Sequence, residues 1–172
     1  PIYEVFIVLK VEHLSAGYNG RFVVQDINFT LERGESLAII GPNSCGKTTL
    51  LRAIAGLLPY EGNIFVDNMP LKDMKRKEIA ARIAMMSQLS TISFPFSIEE
   101  TVMMGRYLSI RDNFFGKPQK KDYDHVEEVM AKLNLLEIRK KTLNQLSGGQ
   151  IQRVFLAHTM VQEPKIILLD EP

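Results

Sequence analysis

A glycine-rich segment, GPNSCGKT at residues 41–48, contains the residue types that hold phosphate groups in proteins. It fits the pattern of a glycine, four residues, and then Gly-Lys followed by serine or threonine. Glycines let the backbone N–H groups approach phosphate oxygens, and the N-terminus of a following helix adds partial positive charge. Lys47 is predicted to reach the β and γ phosphates of a nucleotide, and Thr48 to offer its hydroxyl to Mg²⁺. The structural alternative is a glycine turn that merely connects a strand to a helix.

A second candidate is the acidic end of the apolar run IILLDEP, residues 166–172. A buried strand ending in Asp170 and Glu171 would deliver one carboxylate toward Mg²⁺ and leave the other able to polarise an attacking water. Apolar runs that end in an acidic residue are common. On this stretch alone, a plain boundary between a strand and a loop is the favoured interpretation.

The segment LSGGQ, residues 146–150, lies between these two candidates. A serine hydroxyl, two glycines with accessible N–H groups and a following helix N-terminus suit phosphate recognition. A phosphate loop, then LSGGQ, then an apolar strand ending in Asp-Glu-Pro resembles the ATP-binding cassette (ABC) ATPase family. The resemblance runs from about Lys10 to Pro172.

The resemblance implies an α/β fold: a P-loop NTPase (RecA-like) core with an antiparallel β subdomain and an inserted α-helical signature subdomain. It places the core and β subdomain at residues 1–88 and 158–172, and the helical subdomain at residues 89–157. Family members continue after Asp-Glu-Pro with further core strands and a histidine that contacts the γ phosphate. The fold is therefore expected to be incomplete at its C-terminus, and Pro1 is not an initiating residue.

The resemblance also implies a role for each matched residue. Tyr18 takes the place of an aromatic ring that stacks on adenine, although from the residues alone it is a turn aromatic. Gln88 takes the place of a glutamine that senses Mg²⁺ and touches a membrane subunit. The implied catalytic residues are Lys47, Gln88 and Glu171, and the implied metal-binding residues are Thr48, Gln88 and Asp170. The implied nucleotide-binding residues are Tyr18, Gly41, Pro42, Asn43, Ser44, Cys45, Gly46, Lys47, Thr48 and Thr49.

In the family the signature faces ATP held by a second subunit, so the resemblance implies a head-to-tail dimer with two composite sites. The residues that would contact the partner's ATP are Leu146, Ser147, Gly148, Gly149 and Gln150. One part of the phosphate loop departs from the family, which usually has glycine and then serine where this chain has Ser44 and Cys45. One loop position therefore has less conformational freedom, and a thiol lies near the bound phosphate.

Composition limits the alternatives. The chain has 172 residues, 45% hydrophobic and 24% charged, with a net charge of +1, which is typical of one globular domain. The near balance of charge gives no general attraction to nucleic acid or to anionic membranes, and no apolar run is long enough to span a bilayer. A single cysteine suits a reducing cytoplasm, and the three scattered histidines have no partner at metal-ligand spacing.

These motifs depend on elements that the apolar periodicity predicts. The predicted strands are residues 10–18, 26–32, 36–40, 62–68, 82–88 and 165–170, with turns at Asn19-Gly20 and Arg33-Gly34. The first predicted helix is residues 48–58, ended by Pro59, and the second is residues 97–107, opened by a capping box of Ser97 and Glu100. A third helix is marked by Val126, Val129, Met130 and Leu133, and the fourth is residues 151–162.

The favoured function is an ATP-hydrolysing subunit of a membrane transporter, at the cytoplasmic face of the membrane. Its expected partners are transmembrane permease subunits and a solute-binding protein, with ATP and Mg²⁺ as cofactors and no nucleic acid. The segment FPFSIEETVMMGRYL, residues 94–108, resembles ATPases of iron-siderophore, haem and cobalamin importers. Two alternatives stay open: a soluble family member that acts on ribosomes, DNA or iron-sulfur assembly, and a nucleotide-binding module without turnover.

Overall fold

The computed structural model describes residues 7–86, 96–111 and 116–170, and the chain forms two compact units, residues 1–85 and 86–172. Each unit has buried apolar residues of its own. The predicted domain boundaries at residues 88 and 157 stay a prediction.

The first unit is organised around an antiparallel sheet with the strand order β2-β1-β3-β4. Its strands are β1 (Ile7–Tyr18), β2 (Arg21–Glu32), β3 (Tyr60–Val66) and β4 (Met69–Pro70). Asn19 and Gly20 form the β1–β2 turn with φ values of 52° and 75°, the left-handed values that a two-residue hairpin turn needs. The predicted turn and the two predicted strands are therefore confirmed, with both strands starting earlier than expected.

The inner face of this sheet is apolar because alternate residues of each strand point to the same side. Val11, Leu14 and Ile64 are each no more than 1% exposed. Helix α1 (Lys47–Ile54) packs on β1 and β2, and its Ile54 is also buried. The sheet and α1 thus form one core beside the glycine-rich segment.

The helix that follows the glycine-rich segment is shorter than predicted. It ends at Ile54, where Gly56 has a φ of 68° and the Leu57 amide donates to the Arg52 carbonyl over 2.9 Å. This glycine termination of the helix precedes Pro59 and therefore sets the end. The remaining elements of the unit are a 3-10 turn (Leu71–Asp73), the unpredicted helix α2 (Arg76–Arg82) and strand β5, which begins at Ile83 and ends at Met86.

The predicted strand at residues 36–40 is wrong, because the structure assigns these residues to no strand or helix. The four-stranded sheet does not include them, and Leu37 and Ile40 are 51% and 93% exposed. An apolar run becomes a strand when neighbouring strands supply ladder hydrogen bonds and cover its faces. The apolar pattern alone predicted the strand without showing such a neighbour.

The second unit is mainly helical and ends in a short strand. Its elements are α3 (Ile98–Met104), α4 (Tyr107–Arg111), α5 (Lys120–Lys132), α6 (Gly148–Met160) and β6 (Ile166–Leu169), with 3-10 turns at Leu136–Ile138 and Leu143–Gln145. Helices α3, α5 and α6 contact one another around a cluster that includes Ile98, Val102, Met130 and Val154, all fully buried. The helices predicted around this cluster are therefore confirmed.

The predicted helix 97–107 is two helices, because the chain turns at Gly105-Arg106 between α3 and α4. Its predicted start is confirmed: the Ser97 hydroxyl accepts from the Glu100 amide, and the Glu100 carboxylate accepts from the Ser97 amide over 2.7 Å. No helix among residues 7–86, 96–111 and 116–170 is long and apolar enough to cross a bilayer.

Candidate nucleotide-binding site

The glycine-rich segment enters α1 through a backbone conformation that requires glycine. Gly46 is the N-cap residue, with φ 104° and ψ 11°. A Cβ atom at this position would lie 2.6 Å from the Val24 Cγ1 atom and 3.0 Å from the Val23 Cγ1 atom. The left-handed backbone and the close contact with β2 both exclude a larger residue, so the second glycine of the phosphate-loop pattern is fixed by geometry.

Lys47, the first residue of α1, folds back over the segment. Its ammonium donates to the carbonyl oxygens of Gly41 and Pro42, each over 2.9 Å. A lysine ammonium has three donors, so these two bonds leave one for a phosphate oxygen. The positive charge is therefore held against the loop backbone.

The first turn of α1 supplies the remaining features of an anion site. It contains no acidic residue, and the eight-residue helix leaves its first N–H groups without helical partners. Thr48 is half-buried, and Thr49 is 6% exposed. This end of α1 is electrostatically suited to a phosphate group.

Ser44 and Cys45 show what the departures from the family pattern do. Ser44 has a φ of 64°, a left-handed value that costs a non-glycine residue about 1 kcal/mol. The Cys45 thiol is exposed and lies against Gly41, where a Cβ atom would come 2.7 Å from the sulfur. The loop therefore accepts serine at some cost in strain, and its thiol is on the loop surface.

Tyr18 is placed next to α1. It is the last residue of β1, its side chain is 43% exposed, and its hydroxyl accepts from the Arg52 guanidinium over 3.3 Å. The anchored ring keeps an exposed face, as a stacking role requires. Arg52 is a neighbour that sequence reasoning missed, because nothing in the spacing of the two residues shows their contact.

The signature segment forms the N-terminus of α6 in the second unit. Ser147 is the N-cap; its hydroxyl accepts from the Gln150 amide over 3.4 Å, and the Gln150 side-chain oxygen accepts from the Ser147 amide over 2.9 Å. Helix α6 therefore begins three residues before its predicted start at Ile151. Leu146 packs at the edge of the helical core, which fixes where the segment begins.

The reason for glycine at the two signature positions, Gly148 and Gly149, differs from the reason at Gly46. A Cβ atom at Gly148 or Gly149 would meet nothing within 4 Å. Packing against the residues that the structure describes therefore does not require glycine there. Their small size leaves the N-terminus of α6 open to a ligand or a partner.

Asp170 follows β6 and is 6% exposed. Its amide donates to the Met86 carbonyl over 2.9 Å, a contact within residues 86–172. The predicted site residues Gln88 and Glu171 lie outside the described residues. The structure thus brings Tyr18 to the helix that follows the phosphate loop in the first unit, and describes the signature and Asp170 within the second.

The described residues contain no cluster of three or more histidine, cysteine or acidic side chains that could hold a metal ion by themselves. The candidate Mg²⁺ donors, the Thr48 hydroxyl and the Asp170 carboxylate, are oxygen atoms. Mg²⁺ prefers oxygen ligands and usually takes only one or two carboxylates together with nucleotide phosphates. Each of these two oxygen donors is therefore of the kind that binds Mg²⁺ together with a nucleotide.

Comparison with known proteins gives consistent similarities. The chain is 38% identical over 167 residues to the manganese transport system ATP-binding protein MntB of Halalkalibacterium halodurans, covering 96% of this chain and 64% of MntB. It is 31% identical over 166 residues to the petrobactin import ATP-binding protein YclP of Bacillus subtilis, covering 96% of this chain and 64% of YclP. The chain is also similar to the structure of cbiO1 from Clostridium perfringens, part of the ABC transporter complex cbiONQ. The TM-score is 0.81 and the identity 31%, and the match covers 96% of this chain and 66% of cbiO1.

The chain spans 37% of the length of one relative that it matches and between 59% and 68% of others. The structural similarity confirms the predicted fold class, the P-loop NTPase cassette. A model of the family described as ABC transporter matches residues 24–172. The chain belongs to the ABC transporter family.

Proposed function

We propose that the protein binds ATP with Mg²⁺ and hydrolyses it to power a membrane transporter. The observation that carries this proposal is the phosphate loop. Its backbone takes left-handed values at Ser44 and Gly46, its lysine ammonium is held by two loop carbonyls, and it opens a helix without an acidic first turn. This arrangement attracts the phosphates of a nucleotide and positions the groups that bind them.

Each site residue has a defined part in this proposal. Lys47 and the loop amides hold the phosphates, while Tyr18 stacks on adenine. Thr48, Asp170 and Gln88 bind Mg²⁺, which when bound neutralises charge on the phosphates. Glu171 accepts a proton from the attacking water as general base. The carboxylate donor and the general base are adjacent in sequence, so one strand end positions both.

The signature supports the proposal of a dimer. Ser147 and the open glycines present hydroxyl and N–H groups at the N-terminus of α6. Among the described residues no contact explains these glycines, whereas contact with the ATP of a second copy would. We therefore propose a head-to-tail homodimer in which each signature completes the site of the other subunit.

The proposed transport class is import of an iron-siderophore, haem or cobalamin type of solute. The segment 94–108 supports this class, and so does similarity to a petrobactin import protein, although a manganese transport protein is at least as similar. The proposed partners are permease subunits and a solute-binding protein, at the cytoplasmic face of the membrane. Movement would pass to the permease through Gln88 and the helical unit.

The alternatives make different demands on the sequence. Soluble family members that act on ribosomes, DNA or iron-sulfur assembly usually have tandem cassettes or a coiled-coil insertion before the signature. Lys47 and Ser147 are 100 positions apart, which leaves no room for a long coiled coil. A module without turnover would not need Glu171, whose carboxylate is suited to activating water.

Replacement of Lys47 tests the proposed function. Lys47→Ala removes a charged donor and both loop hydrogen bonds, so ATP binding is expected to weaken about tenfold or more, with loss of hydrolysis. ATP affinity is measured by calorimetry and turnover by phosphate release. Lys132→Ala is the matched control, because Lys132 lies in the other unit and forms a surface ion pair with Glu128. Unchanged ATP affinity in Lys47→Ala would contradict the proposal.

A further inference from the structure

The corner between α3 and α4 contains an arginine in an environment that is unusual for this residue type. Arg106 is 6% exposed, whereas arginine is rarely buried unless it is paired. It lies in Gly105-Arg106-Tyr107, which is part of the segment that resembles importer ATPases. The contacts of Arg106 give it a second significance.

The guanidinium joins two helices. Its Nε donates to Asp122 Oδ1 over 3.2 Å, and its Nη1 donates to the Val161 carbonyl over 2.8 Å and to Glu163 Oε2 over 2.5 Å. Asp122 is fully buried, and its other oxygen accepts from the Gln119 amide over 2.9 Å. One side chain therefore ties the first turn of α5 to the residues just after α6.

Two further contacts fix the same end of α6. A Cβ atom at Gly105 would lie 2.3 Å from the His158 carbonyl oxygen and 2.6 Å from Val161 Cγ2, so α3 ends in direct contact with α6. The His158 Nδ1 atom is 2.9 Å from the Thr101 carbonyl oxygen. The C-terminal end of α6 is thus held by close packing, by the His158 hydrogen bond and by the contacts of Arg106 with Val161 and Glu163.

This end of α6 lies between two proposed functional segments. Helix α6 begins at the signature and, with 13 residues, is about 20 Å long. After Val161 the chain passes Glu163 and Pro164 into β6, which leads directly to Asp170. A change in the angle between α6 and the following residues would therefore move the signature relative to Asp170.

We propose that Arg106 is a positioning residue that holds the signature helix and the strand leading to Asp170 as one rigid body. The inference rests on the proposed function, ATP hydrolysis. Arg106 acts through Val161 and Glu163 and does not touch the nucleotide. Its planar guanidinium donates to Asp122 on one side and to Val161 and Glu163 on the other. The single ammonium of lysine cannot reproduce this geometry.

The variant Arg106→Lys tests the inference, because it keeps the charge beside buried Asp122 and removes the fork. The expected result is a kcat for ATP hydrolysis lowered about tenfold at an ATP KM within about twofold, since misplacement affects the reaction more than nucleotide binding. Arg139→Lys is the matched control. Arg139 pairs with Glu99 in the same unit through its Nε and Nη2 atoms, and its hydrogen bonds go to Glu99 and not to the residues after α6.

Amide hydrogen exchange gives a second measurement that does not depend on hydrolysis. In Arg106→Lys, exchange is expected to be faster from Val161 to Asp170 than in the parent, and unchanged in Arg139→Lys. A parent without ATPase activity would contradict the proposed function, while exchange would still decide whether Arg106 holds this segment. Equal kcat and equal exchange in the two variants would overturn the inference, as would a kcat loss that merely follows the folded fraction.

If Arg106→Lys does not fold, Glu163→Ala takes its place. The Glu163 side chain is 59% exposed, so its removal does not open the core, yet it deletes one contact of the guanidinium with the residues after α6. The expected result is a kcat lowered about threefold with faster exchange from Val161 to Asp170. Unchanged kcat and exchange in this variant would overturn the inference.

Discussion

At the residue scale, glycines occur in the two phosphate-recognition segments for different reasons. Gly46 is required by its own backbone conformation and by β2, whereas Gly148 and Gly149 face open space. The first glycine therefore shapes a site within this chain. The other two leave the N-terminus of α6 open with respect to the described residues.

Alanine at these positions is expected to separate the two reasons. Gly46→Ala meets a left-handed backbone and the Val24 methyl group, so the free energy of unfolding is expected to fall by about 2 kcal/mol. Gly149→Ala adds a methyl group to open space at the start of a helix, so the same quantity is expected to change by less than about 0.5 kcal/mol. Urea denaturation measures both.

Activity completes this comparison. Gly149→Ala is expected to lower ATPase activity about tenfold or more, because the added methyl group obstructs the approach of a second subunit's phosphate to the helix N-terminus. A stable Gly149→Ala variant with full activity would contradict the proposed role of the signature. A Gly46→Ala variant as stable as the parent would contradict the geometry of the phosphate loop.

Residue types and short spacing predict most of the candidate site, but they do not predict long-range partners. The loop residues, Ser147 and Asp170 are candidates because each belongs to a local pattern. Arg52 beside Tyr18 and Arg106 beside Val161 are separated from their partners by 34 and 55 positions. Such contacts follow from how the chain folds back, and one sequence contains no signal for that.

At the element scale, two helices begin with the same device. Ser97 and Glu100 cap α3, and Ser147 and Gln150 cap α6, each through a reciprocal pair of hydrogen bonds. An N-cap serine satisfies an amide that the helix leaves without a partner. Only the capping box of α6 coincides with a proposed phosphate-binding segment. Comparing Ser97 with Ser147 therefore distinguishes the effect of helix capping from the effect of ligand binding.

Alanine in place of each cap serine is expected to give equal losses of stability and unequal losses of activity. Ser97→Ala and Ser147→Ala are each expected to lower the free energy of unfolding by about 1 kcal/mol. Only Ser147→Ala is expected to lower ATPase activity about tenfold, because it also removes a donor to phosphate. Thermal denaturation and phosphate release measure the two effects. Equal activity losses would show that the signature serine acts only as a cap.

Helix α3 is also held by an ion pair whose strength depends on pH. Hydrogen bonds from Arg139 and then from Lys140 lower the pKa of Glu99 below its ordinary value of 4.5. A carboxyl with a lowered pKa in the folded state stabilises fully above the pKa of the unfolded chain. That stabilisation is lost as the pH falls through the folded-state pKa.

The variant Glu99→Gln is therefore expected to be less stable than the parent at pH 7 by about 1 kcal/mol, and the difference should shrink as the pH falls below 4.5. Urea denaturation at pH 7 and pH 3.5 measures the difference. Glu128→Gln is the control, since Glu128 and Lys132 form an ion pair in which both side chains are mostly exposed. A difference that stayed constant with pH would exclude ionised Glu99 as its source.

Elements with a one-sided apolar pattern were predictable, and those that depend on neighbours were not. Helices α5 and α6 follow stripes of apolar residues that face the core of their unit. Residues 36–40 have a strand pattern without a paired neighbour, and α2 has no buried residue from which a pattern could arise. The split at Gly105 depends on contact with His158, which local periodicity cannot show.

At the scale of the whole molecule, the proposed catalytic groups are divided between the two units. The phosphate loop and Tyr18 belong to residues 1–85, while the signature and Asp170 belong to residues 86–172. In the proposed dimer, the signature contacts the ATP of a second copy. Hydrolysis is therefore proposed to depend on assembly as well as on the residues of one chain.

The variant Glu171→Gln tests this dependence on assembly. Glutamine has nearly the shape of glutamate but cannot accept the proton of water, so hydrolysis is expected to fall about a hundredfold or more while ATP still binds. Dimers closed around ATP should then accumulate, because their reopening requires hydrolysis. Size-exclusion chromatography with light scattering should show a dimer with ATP and a monomer without it.

Adding Gly149→Ala to Glu171→Gln should abolish this dimer, because the signature then no longer contacts the partner's nucleotide. Normal turnover in Glu171→Gln would refute Glu171 as general base, and an ATP-independent dimer would refute assembly through the nucleotide.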